Sequence, residues 1–127
     1  MDERFLLGIQ EFNAGRFFEA HDVLEDLWQG YRETDRQFLQ ALIQTAVGFY
    51  HLENGNLKGA RSQFGKACAK FEPFLPSHWG LSTDLLYGSL KEHLEMLERC
   101  ARSGEEGIEI LNRPRIQLSA DSNPTIA

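Results

Sequence analysis

His21, Glu25 and Trp28 bring an imidazole, a carboxylate and an indole together, four and three residues apart, in the stretch from Phe12 to Trp28. On a helix advancing about 100° per residue these three share one side. Phe17, Ala20, Leu24, Leu27 and Tyr31 define an apolar face in the same stretch; His21 and Trp28 fall inside it, and Glu25 lies at its edge. Glu19, Asp22 and Asp26 point the other way, as a solvated side does. Polar groups turned toward an interior need partners there, so the pattern predicts a polar site.

Three kinds of chemistry fit it. In the first, His21, Glu25, Gln44 and His51 satisfy one another in a network that holds the register of the helices, with Trp28 as a core anchor. In the second they take a small ligand or a divalent transition metal. His21 and Glu25, spaced i to i+4, both reach one ion, and His51 supplies the third protein ligand of an open site. Hydrolysis would then use Glu25 as general base on a bound water or, without a metal, His21 oriented by Glu25. Neither a His-Glu-x-x-His motif nor the Glu-x-x-His pairs of helical di-iron proteins occurs in the chain, so no named metal chemistry is indicated. In the third reading the chain is an interaction module or a homo-oligomer, with Phe74, Trp79 and Leu81 as apolar anchors on a loop.

The elements that must position these residues follow from periodicity and capping. Asp2 to Asn13 reads as a short helix with Phe5, Ile9 and Phe12 on one side, closed by Gly15. A second helix runs from about Arg16 to Gly30. A third, capped by Thr34 or Asp35 and ending at Glu53 or Asn54, has no charged residue between Arg36 and Glu53 and is the expected buried centre. Its narrow polar strip, Gln37, Gln40, Gln44 and His51, is flanked by the small residues Ala41 and Gly48 and is expected to face His21. Asn56 caps a fourth helix reaching about Phe71, and Ser82 or Thr83 starts a fifth with Leu86, Leu90, Leu94, Leu97 and Ala101 as its seam. The loop from Phe74 to Leu81 is expected to fold over one end of the bundle.

Phe12-Asn-Ala-Gly15-Arg-Phe17 returns later as Leu52-Glu-Asn-Gly55-Asn-Leu57, after which Ala20 and Leu24 match Ala60 and Phe64. Two related hairpins of tetratricopeptide-like type are predicted, closed by the fifth helix. The fold class is therefore all-α, a compact bundle of about five helices over residues 1–103. Residues 104–127 read as an irregular tail, disordered from about Ser119.

Phe12-x-x-Gly15-x-Phe17-Phe18-Glu19-Ala20-His21-x-x-Leu24-Glu25-x-x-Trp28, then Leu42-Ile43-Gln44, Tyr50-His51 and Gly55-Asn56-x-x-Gly59-Ala60, resembles the family catalogued as domain of unknown function 309. The resemblance covers roughly Phe5 to Leu97. It implies an all-helical intracellular domain of no established activity, and it carries over His21, Glu25, Trp28, Gln44 and His51 as family-type positions. Asp22 stands where that family often has glutamate.

Composition narrows the partners. A chain of 127 residues is large enough to hold a sizeable core as one domain. Its two cysteines, Cys68 and Cys100, are far apart and form no Cys-x-x-Cys pair, which fits a reduced cytoplasmic setting. Acids near the start and the lack of a long apolar run argue against a secretory signal or a membrane span. A net charge of −6 opposes a nucleic-acid partner, and Lys58, Arg61, Lys66 and Lys70 have the spacing of an ordinary solvated helix face.

Overall fold

The computed structural model describes residues 2–103 and 113–118. Among them are five α-helices: α1 Glu3–Asn13, α2 Phe17–Trp28, α3 Glu33–Glu53, α4 Leu57–Phe71 and α5 Thr83–Ser103, with a single 3-10 turn at Glu72–Phe74. Each helix packs against the next in the chain, so α1 with α2 and α3 with α4 form hairpins and α5 lies on α4. The all-α bundle expected from periodicity is the observed fold.

The helix ends follow local chemistry. Asp2 caps α1 by accepting from the Arg4 amide at 2.8 Å, and Asn56 caps α4 by accepting from the Gly59 amide at 2.9 Å. α3 departs from expectation at its start. It begins at Glu33 after an extended Arg32, without a side-chain cap, and Asp35 instead faces His78 Nε2 at 3.3 Å.

The two glycine turns repeat one closure. Gly15 and Gly55 have φ of +80° and +75°, a conformation that penalises any residue with a Cβ. The following amides, Arg16 and Asn56, donate back to Glu11 O and His51 O, each at 2.9 Å. These are bonds from the third residue past the helix to its last turn, the arrangement that a left-handed glycine allows.

The core is aromatic. Near the glycine turns Phe49 meets Phe12, Phe17 and Phe64 with ring centroids 5.7, 5.4 and 4.8 Å away. At the opposite end Phe38 meets Phe74, His78 and Trp79 at 5.5, 4.6 and 5.4 Å. The Phe74–Leu81 loop therefore folds over that end, and burial of Phe74 and Leu81 removes them as free docking anchors.

Residues 113–118, part of the expected tail, run extended along the bundle, and Ile116 enters the core at 3% exposure. Ser119 and the residues after it lie outside the described ones, as do 104–112. No helix among the described residues is long and apolar enough to cross a membrane.

Candidate functional site

α2 buries Phe17, Ala20, Leu24 and Leu27, the face that its periodicity predicts. His21 and Trp28 sit at the border of that face rather than inside it. The His21 imidazole Nε2 lies 2.7 Å from Glu25 Oε2, with the two side chains 25% and 45% exposed. The contact is an i to i+4 pairing of an imidazole nitrogen with a carboxylate oxygen. The pair is one helical turn long and half solvated.

Trp28 is held from α3. The Arg36 guanidinium carbon lies 3.6 Å from the indole centroid, and its Nη1 donates to Trp28 O at 3.4 Å and Tyr31 O at 3.1 Å. Arg36 thus stacks on the ring and donates to carbonyls at and just beyond the end of α2, that of Trp28 also accepting from the Tyr31 amide. Sequence reasoning missed it. The available signal was its position as the last cation before the uncharged run of α3. Trp28 Nε1 is buried without a hydrogen-bond partner among the described residues, and so is Gln44 Oε1.

His51 and the amide strip of α3 face elsewhere than expected. A Cβ on Gly48 would lie 2.5 Å from the Phe64 ring of α4. His51 Nδ1 lies 3.3 Å from Asn56 Nδ2, and because that amide nitrogen only donates, Nδ1 accepts. The strip is directed to α4 and the turn before it, while α2 meets a different side of α3. His51 consequently supports the cap of α4, and the expected trio of His21, Glu25 and His51 is not assembled. Among the described residues no group of three or more His, Cys, Asp or Glu side chains is placed to hold a metal ion.

His21 has aromatic neighbours instead. Phe18 is 51% exposed and Tyr50 39% exposed, and their rings lie 5.6 Å apart. His21 is 5.9 Å from Phe18, and His51 is 6.2 Å from Tyr50. A row of rings, His21, Phe18, Tyr50 and His51, therefore crosses from α2 to α3. Phe18 was legible only as the second member of a Phe-Phe doublet, in which one ring enters the core and the other, about 100° away, does not.

Two further histidines were not singled out from sequence. His93 is buried in α5, where Nδ1–H donates to Ser89 O at 2.8 Å and the ring meets Phe49 edge-on at 5.0 Å. His78 packs between Phe38 and Phe74. Both serve the core.

Fold and site together define a small domain of successive helical hairpins, with a half-exposed His–Glu pair and an aromatic row on one outer face. Residues 5–63, from the first turn of α1 to the first half of α4, match the model of the family described as Domain of unknown function (DUF309). All five family-type positions fall inside the matched segment, which stops short of the Leu97 limit of the motif resemblance. A comparison with curated proteins finds no match.

Proposed function

We propose that the protein is a cytoplasmic interaction module that works by docking rather than by turnover, and that the outer face of α2 and α3 is its docking surface, with a second copy of the chain as the partner. The observation that carries this reading is the contact between Phe18 and Tyr50, two half-exposed rings beside the His21–Glu25 pair. Exposed aromatic rings in mutual contact, rimmed by polar groups, have the composition of an interface centre. Self-association through a two-fold axis uses one such patch twice. The tetratricopeptide-like hairpins supply a rigid support, and the negative net charge weighs against nucleic acid as the partner.

Light scattering from micromolar to millimolar protein tests it. The mass should rise toward twice that of the chain, and Phe18→Ser with Tyr50→Ser should hold it at the monomer while the helical signal is kept. A mass that stays monomeric in the parent protein would overturn the proposal.

A further inference from the structure

A second surface is built around a different segment of the chain. Residues 113–118 lie between the end of α1 and the segment preceding α5. Asn13 contacts both backbone groups of Ile116, with Nδ2 donating to Ile116 O at 3.1 Å and the Ile116 amide donating to Asn13 Oδ1 at 2.8 Å. The Ser82 amide donates to Gln117 O at 2.9 Å, and Leu81 and Leu118 form an antiparallel bridge. Ile116 is buried, whereas Gln117 and Leu118 are exposed. At the other end Arg113 Nη1 lies 3.8 Å from Glu53 Oε1, and the guanidinium carbon is 5.6 Å from the Phe17 ring centroid. Gly15 leaves the space that this guanidinium fills.

Three of these contacts address backbone alone. One side-chain amide that satisfies both the N–H and the C=O of a single residue reads an extended chain without reading its sequence. Among the described residues, side-chain selection rests on one buried position, that of Ile116, and, three residues earlier, on one cation position beside Glu53 and Phe17. None of this requires the segment to be attached to α5.

We infer that this groove is a binding site for an extended segment of another protein, with the pattern Arg-x-x-Ile, and that residues 113–118 are its resident competitor. Glu53 at the cation end and the chain's net charge of −6 favour a basic segment. Tethering places the resident at a high effective concentration, so the groove binds a partner strongly only when residues 113–118 are weakened or displaced.

The test uses the full chain. A fluorescent peptide with the sequence of residues 113–118 is titrated against the parent and Ile116→Ser proteins. Saturable binding to Ile116→Ser, at least about tenfold tighter than to the parent, is expected from the loss of the tethered competitor. Adding Asn13→Ala should weaken that binding about tenfold, and replacing isoleucine by aspartate in the peptide should abolish it. An Ile116→Ser protein that keeps its helical signal yet ignores millimolar peptide overturns the inference. If Ile116→Ser does not fold, the parent decides in an NMR titration. Millimolar peptide should shift the Ser82 backbone and Asn13 side-chain amides, and unmoved resonances overturn the inference equally. A doubling of mass that Ile116→Ser abolishes and Phe18→Ser with Tyr50→Ser does not would place a second copy in the groove and overturn the assignment to a different protein.

Discussion

Gly48 of α3 and Phe64 of α4 are in such close register that a Cβ on the glycine would stand 2.5 Å from the phenyl ring. This contact sets how near the two helices approach, and it turns the amide strip of α3 toward α4. Phe64 is fully buried against Phe49, so its ring has no free space into which to withdraw.

Gly48→Ala should therefore destabilise the protein by about 1–3 kcal/mol through overpacking, despite alanine's better helix propensity. Urea unfolding followed by far-ultraviolet circular dichroism measures it. An unchanged or raised midpoint would show that the helices separate freely.

Gly15 and Gly55, the left-handed glycines of the two hairpin turns, differ in their surroundings. A Cβ on Gly55 meets nothing within 4 Å, while one on Gly15 collides with the Arg113 guanidinium. Gly55→Ala should cost about 1–2 kcal/mol from backbone conformation alone, and Gly15→Ala about the same, because the half-exposed tip of Arg113 can swing aside. A double-mutant cycle of Gly15→Ala with Arg113→Ala, read from denaturation midpoints, should therefore show little coupling, and a coupling above about 1 kcal/mol would show that the guanidinium is held in place.

His21 and Glu25 form a short but half-solvated pair. Its net contribution to stability should be at most about 1 kcal/mol, because solvent screens the attraction and the side chains lose freedom in making it. His21→Ala and Glu25→Ala, alone and together, should leave the thermal midpoint nearly unchanged while weakening self-association. A coupling of several kcal/mol in the unfolding cycle would make the pair a structural anchor instead.

Burial pushes the Cys68 thiol up to about 11, with Lys91 only partly offsetting the loss of hydration. Since the thiolate is the reactive form, a thiol reagent at pH 8 should label the part-exposed Cys100 and leave Cys68 unmodified until the protein unfolds. The linkage sign follows. The unfolded thiol loses its proton first, so this group's contribution to stability is intact below about pH 9 and declines as pH rises toward about 11. Peptide mass spectrometry after timed alkylation checks the labelling, and equal rates at the two cysteines would contradict it.

The amino-acid order alone determined the helices, their buried stripes and their repeated turns. Phe17, Ala20, Leu24 and Leu27 recur at helical spacing and are buried together, and Gly15 and Gly55 close two hairpins in the same way. These are local matters, settled within a few residues by sterics and periodicity. The candidate site was legible only in part. Periodicity showed that His21 and Glu25 share a side of α2, and they do pair. It also showed that Gln44 and His51 share a side of α3, but periodicity measures an angle about a helix's own axis and says nothing of which neighbour meets that side. Tertiary packing decided it, by seating Phe64 on Gly48 and so directing His51 to Asn56 rather than to His21. The same holds for Asn13 and Ile116, which pair across 103 positions. No local pattern marks such a contact, because it exists only once the helices have brought the two ends of the chain to one groove.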